Sequence, residues 1–219
     1  YSKTENVNSS KELKHQLIRE TLNFFDKKKS LEVVTSADIP SSGSGLGSSS
    51  ALVVGLVNAL TGKKNNEEKK EIISKLACEI EINKCKKPIG YQDQYSTAFG
   101  GLNVIEFTKN KKVLVKKILL KKDREKKFKK NLLLFYTGIN RKADKILKKI
   151  SNTEAQINNH VKLASLASNF QHELINGDLI NCGNILHENW IIKRNLNKSV
   201  SSLKIDEVYD IAIENGAVG

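Results

Sequence analysis

Three stretches of the chain carry residue types that can do chemistry. The first is Pro40-Ser41-Ser42-Gly43-Ser44-Gly45-Leu46-Gly47-Ser48-Ser49-Ser50, with glycines at alternate positions. Glycine lets the chain turn sharply and brings N–H groups close to a ligand, and serines can cap a following helix. Such a nest of donors at the positive end of a helix suits phosphate. The second stretch holds two carboxylates, Glu79 and Glu81, and the third holds Asp93 within Gly90-Tyr91-Gln92-Asp93-Gln94-Tyr95. Carboxylates beside a phosphate loop are the groups that hold a divalent cation or accept a proton. A plain Ser/Gly linker does not fit the first stretch, because linkers seldom run into ten apolar residues that must be buried. No Lys-Ser or Lys-Thr follows the last glycine, so it is no Walker loop, and the Rossmann spacing is not met either.

The elements that must position these residues follow from periodicity. Leu31–Thr35 is β-branched and reads as a strand entering the loop, and Ala51–Leu60 reads as a buried helix leaving it, with Gly62 as its C-cap. Lys11 to Phe25 places Leu13, Leu17, Ile18, Leu22 and Phe25 at helical spacing, with His15 exposed. A helix over Glu67–Lys84 has Ile72, Ile73, Leu76, Ala77 and Ile80 on one face. Glu79 then stacks over Lys75 and Glu71 on the solvent side, whereas Glu81 stacks over Ala77 and Ile73 at the border of the buried side. A carboxylate there needs a partner, which is either a salt bridge or a metal ion. Pro88 and Gly90 force a loop before a short helix, Gln94–Phe99, so Asp93 is either an N-cap or a chemical group.

Farther on, Gly100-Gly101 turns the chain into a hairpin of Leu102–Phe107 and Val113–Leu120 joined by Thr108–Lys112. Asn131–Tyr136 reads as a strand, and Thr137-Gly138 opens a loop. Arg141 can reach a phosphate with its planar fork or make an ion pair on a helix over 141–150. Helices are expected over Glu154–Asn176, Leu179–Asn195 and Ile205–Asn215, with His160 and His172 on their surfaces and His187 and Trp190 in packing.

Composition bounds the answer without deciding it. An apolar fraction of 39% and a charged fraction of 28% over 219 residues are those of a globular chain able to bury a core. No apolar run reaches the roughly 18 residues that span a membrane, so no membrane partner is expected. Cys78, Cys85 and Cys182 lack metal-ligand spacing and read as reduced thiols, which points to the cytoplasm. The net charge of +13 invites nucleic acid, yet the lysine-rich run 109–130 has little aromatic interleaving and reads as a solvated surface. A positive field also steers anionic small molecules.

Gly43-Ser44-Gly45-Leu46-Gly47-Ser48-Ser49 resembles the second motif of the GHMP kinases, Pro-x-Gly-x-Gly-Leu-Gly-Ser-Ser-Ala. The departures are one extra residue between Pro40 and Gly43, and Ser50 in place of alanine. Asp93-Gln94 resembles the family's catalytic Asp-Gln, and Glu81 stands where its metal-binding glutamate is expected. The wider phrase, with Phe99-Gly100-Gly101-Leu102-Asn103, Leu133 to Ala143 and Leu186-His187-Glu188-Asn189-Trp190, is similar to the D-glycero-D-manno-heptose 7-phosphate kinases.

The resemblance implies an α+β, two-lobe fold. Residues 1–120 would form an N-terminal lobe like ribosomal protein S5 domain 2, and 121–219 a ferredoxin-like C-terminal lobe. Both would be incomplete, for want of the first motif and the Gly-rich third motif, and the site would lie between them. It also implies a kinase moving the γ-phosphoryl of ATP, with Mg²⁺, to the anomeric hydroxyl of a sugar phosphate. Pro40, Gly43, Ser44, Gly45, Leu46, Gly47, Ser48 and Ser49 would hold ATP, and Ser49 with Glu81 would hold the metal. Asp93 would be catalytic, and Arg141, Thr137 and Gly138 would face the substrate. A galactokinase- or mevalonate kinase-like enzyme, a nucleotide-binding pseudokinase and a basic nucleic-acid binder are the competing readings, and a homodimer is compatible with all of them.

Overall fold

In the computed structural model, residues 4–26, 31–38, 45–62, 66–139, 154–196 and 200–219 are described. The chain divides into two compact units, one of residues 1–117 with 139–144 and one of residues 118–138 with 145–219.

The first unit is built on three helices around one apolar cluster. Helix α1 (Gln16–Phe24), α2 (Ser48–Thr61) and α3 (Glu67–Cys78) supply Leu17, Val53, Val54, Val57, Ile73 and Ala77, and Ile80 and Cys85 complete the cluster. Val53 and Val57 are fully buried, which stabilises the unit by roughly 1.5–3 kcal/mol each relative to exposure. The glycine punctuation of α2 is as expected: Gly47 precedes it at φ 67° and Gly62 follows it at φ 58°, both left-handed. Two details differ. Only one face of α2 is buried, since Ala51, Gly55, Asn58 and Ala59 are exposed. The serines do not cap it, because Gly47 is the N-cap and Ser48–Ser50 form its first turn.

Helix α1 is shorter than its periodicity suggests. The Lys14 N–H donates to the Glu5 carboxylate at 2.7 Å instead of joining a helical ladder, and a 3₁₀ turn, Ser10–Glu12, takes the earlier residues. His15 becomes the N-cap, its Nδ1 accepting from the Ile18 N–H at 3.5 Å. Helix α3 continues into a π turn, Glu79–Lys84, in which the Cys85 N–H donates five residues back to the Ile80 carbonyl at 2.8 Å. Helix α4 (Gln92–Phe99) packs on α2 and α3 and ends at Gly100 and Gly101, both with positive φ. The chain then enters the hairpin β1 (Asn103–Phe107) and β2 (Val113–Lys117), antiparallel with Asn103 opposite Lys117 and Phe107 opposite Val113.

The second unit is helical among its described residues: α5 (Lys122–Lys130), α6 (Glu154–Asn176), α7 (Leu179–Leu196) and α8 (Leu203–Glu214). Arg124 of α5 donates to the carbonyls of Glu173, Leu174 and Gly177, so a cation satisfies the orphan acceptors at the C-terminus of α6. His187 and Trp190 pack as expected, both against Tyr209, whose hydroxyl lies 2.7 Å from His187 Nδ1.

Two strand expectations fail for one reason. Leu31–Thr35 and Asn131–Tyr136 have strand-forming side chains but pair with nothing among the described residues, where β1 and β2 form the sheet. Strand propensity expresses fit to a half-buried pleated surface, and here Val34, Leu133 and Leu134 are 82%, 78% and 83% exposed.

Candidate active site

Helix α2, the π turn and α4 bring their polar residues to one point, the carboxylate of Glu81. This side chain is fully buried, whereas periodicity places it at the border of the buried face. Four donors surround it. Ser49 Oγ donates to Oε1 at 2.9 Å and Lys87 Nζ to the same oxygen at 3.1 Å. Ser50 Oγ and Gln94 Nε2 donate to Oε2, each at 2.6 Å. Of the two partners left open by the sequence, the salt bridge is thus present, from Lys87. Each oxygen takes two bonds, which is how a buried charge is made tolerable.

Asp93 stands on the second residue of α4, not at its N-cap, which is Tyr91. A β-carbon placed on Gly47 would lie 3.7 Å from the Asp93 carboxyl carbon, so the backbone at the start of α2 runs directly beside this acid. Partial burial, and then the negative charge of Glu81, push the Asp93 pKa above the ordinary aspartate value. Its side chain nonetheless opens to solvent. Two carboxylates therefore share one end of α2 in different environments: Glu81 is closed in by donors and Asp93 faces outward.

Gly47, Ser49, Glu81 and Asp93 are brought together. Gly45 (φ 73°), Leu46 and Ser48 complete the described part of the glycine loop, with Gly45 and Leu46 exposed. Pro40, Gly43, Ser44 and Arg141, with the helix expected over 141–150, lie outside the described residues. Thr137 and Gly138 belong to the second unit, where Gly138 has φ 69°. A separate cavity of about 560 Å³ opens between α3 and the β1–β2 hairpin, lined by Lys75, Glu79, Tyr91, Tyr95 and Lys112 among others. Neither Glu81 nor Asp93 lines it.

Three participants were invisible in the sequence. Lys87 is one cation among 37 lysines and arginines and falls in no motif. Ser50 was legible only as a departure from the family pattern. Gln94 stands in the Asp-Gln pair, but nothing in its type marks it as a donor to Glu81. The three cysteines are free and buried, and burial pushes the Cys78 thiol up to about 12. Among the described residues no His, Cys, Asp and Glu group forms a ready-made metal cluster, and no helix is long and apolar enough to cross a membrane.

Residues 13–101, which contain the whole Glu81–Asp93 cluster, match the family model for the GHMP kinases N terminal domain. The match assigns residues 13–101 to the N-terminal domain of that family. It is 32% identical over 200 residues to the D-glycero-alpha-D-manno-heptose 7-phosphate kinase of Campylobacter jejuni, covering 89% of this chain and 58% of that protein. It is 28% identical over 200 residues to the bifunctional fucokinase/GDP-fucose pyrophosphorylase of Arabidopsis thaliana, covering 87% of this chain and 18% of that protein. Among solved structures it resembles a D-glycero-D-manno-heptose 1-phosphate kinase from Bacteriodes thetaiotaomicron, with a TM-score of 0.68 and 26% identity. That match covers 94% of this chain and 60% of the other. The chain thus spans about three fifths of the length of the two heptose phosphate kinases it matches.

Proposed function

We propose that this chain carries the ATP-binding and catalytic residues of a sugar-phosphate kinase. The phosphoryl acceptor is the anomeric hydroxyl of D-glycero-D-manno-heptose 7-phosphate or a close analogue. The observation that carries the reading is the juxtaposition of a glycine-led helix start, Gly47–Ser50, with two carboxylates of unlike environment, Glu81 and Asp93. Phosphoryl transfer depends on positioning and on neutralising charge, and these are the groups it needs.

The N–H groups of Gly43, Ser44 and Gly45 to Ser49 cradle the triphosphate at the positive end of α2, and Pro40, which has no N–H to give, opens that segment. Ser49 Oγ and Glu81 Oε1 are hard oxygen donors 2.9 Å apart, a donor set suited to Mg²⁺, which would neutralise phosphate charge when bound. Asp93, outward-facing and with a raised pKa, orients the acceptor hydroxyl and takes its proton. Arg141, Thr137 and Gly138 serve the phosphate of the substrate. Likeness to two heptose phosphate kinases supports the choice of sugar.

The test is ATP consumption by the full-length gene product over heptose 7-phosphate, mannose 6-phosphate, galactose, mevalonate and homoserine. Turnover confined to the heptose phosphate supports the proposal, and turnover on another member keeps the kinase but discards the substrate. ATP binding without turnover favours a pseudokinase.

A further inference from the structure

The Glu81–Lys87 pair has a consequence beyond the family resemblance, resting on the proposed metal role of Glu81. Lys87 reaches Glu81 twice. Its ammonium bonds the carboxylate oxygen Oε1, and its backbone N–H donates to the Glu81 carbonyl at 3.1 Å. The chain is folded back for this by Lys86, a non-glycine residue held at φ 56°, next to the Cys85 that caps the π turn. Left-handed backbone at a lysine is unfavourable, so this reversal is held by its surroundings. The Lys87 side chain is 19% exposed while the Glu81 side chain is fully buried, so of the two partners only Lys87 reaches solvent.

We propose that Lys87 is a placeholder cation. It neutralises Glu81 while the cation site is empty, and a divalent ion must evict it from Oε1 to bind. The oxygen it occupies is the one shared with Ser49, not the one taken by Ser50 and Gln94. Two cations on one carboxylate oxygen repel each other strongly at low effective dielectric. Ser50 and Gln94 keep Oε2 anchored while the exchange takes place at Oε1, so the carboxylate need not move. Lys87 therefore sets the divalent-ion affinity: it weakens binding of the metal and spares the empty site an unpaired buried charge.

The probe is Mn²⁺, titrated into the full-length protein with a non-hydrolysable ATP analogue and followed by the electron paramagnetic resonance of free Mn²⁺. Removing the charge with Lys87→Met is expected to tighten Mn²⁺ binding by about tenfold or more, while Lys87→Arg stays near the parent. In thermal melts, Lys87→Met should be less stable without metal and gain more from Mn²⁺ than the parent. Lys87→Gln, which keeps a donor without charge, replaces Lys87→Met if that variant does not fold. Equal or weaker Mn²⁺ affinity in the uncharged variants overturns the placeholder role. The metal reading is tested apart from it: if Glu81→Gln leaves Mn²⁺ affinity unchanged in the Lys87→Met background, Glu81 holds no metal and both proposals fall.

Discussion

Ser49 and Glu81 are separated by 32 positions in the chain, yet their side-chain oxygens are 2.9 Å apart. The hydrogen bond joins the first turn of α2 to the π turn that ends α3, so the phosphate-loop helix is locked to the acidic element. Ser50 repeats the link from the next residue, to the other oxygen of the same carboxylate. Any change at Glu81 must therefore register in both the fold and the chemistry.

Replacing Glu81 with Ala strands four donors, one of them charged, in a buried site. Removing one partner of such a pair costs on the order of 3–5 kcal/mol, read in urea titrations of the full-length protein. Glu81→Gln, which still accepts hydrogen bonds, should cost less, and equal losses for the two would contradict the hydrogen-bond account.

Asp93→Asn keeps the shape of the side chain and removes the base. Turnover should fall by roughly 10²–10⁴, with the affinity for an ATP analogue unchanged by calorimetry. A variant that turns over normally would remove Asp93 from the mechanism.

The same residue predicts a pH dependence. Its folded pKa lies above its unfolded value because of burial and then Glu81, so its protonated form is favoured by the fold. That contribution is fully present below the unfolded pKa and is lost as pH rises through the folded pKa. In metal-free protein, Asp93→Asn should therefore melt above the parent at neutral pH, and the gap should close on acidification into the aspartate range. A gap that widens there would have the wrong sign.

Gly47→Ala tests the loop. The new methyl would meet the Asp93 carboxyl at an ordinary 3.7 Å, so no clash is involved. The cost comes from holding alanine at φ 67°, about 1–2 kcal/mol. Weaker ATP binding is expected with it. Gly55→Ala, within α2 at an ordinary φ and with open space around it, is the control and should be neutral or slightly stabilising.

The thiols offer a simple check. Cys78, Cys85 and Cys182 are buried and burial raises the pKa of each, Cys78 to about 12. Reaction with a disulfide reagent at pH 8 should be slow until denaturant is added. Fast labelling of any one in native protein would contradict its burial.

What the sequence made legible is what local rules govern. Gly47, Gly62 and the apolar residues between them define α2, and the spacing of Glu79 and Glu81 separates an exposed acid from a buried one. Glu79 indeed pairs at the surface with Lys84 and Asn83. What escaped depends on partners elsewhere in the chain. The lysines of α5 show no apolar period, since Phe128 is alone among them, and that helix is placed by Arg124 reaching the end of α6. Leu31–Thr35 and Asn131–Tyr136 have the right side chains for strands and no strand beside them among the described residues. Lys87 was hidden because a left-handed lysine and a π turn fold it back, and neither has a compositional signature.

The π turn has a genetic counterpart. A turn wound five residues back accommodates one residue more than the α-helical ladder does, so it is equivalent to a single inserted codon at the end of α3. Deleting one codon between those of Cys78 and Glu81 would let the ladder run on regularly and move Glu81 back by one position, about 100° around the helix. Ile82 would then arrive where Glu81 now meets Ser49 and Ser50. The register of this one turn decides whether a carboxylate or an isoleucine faces the phosphate loop, and an in-frame loss of three nucleotides is enough to exchange them.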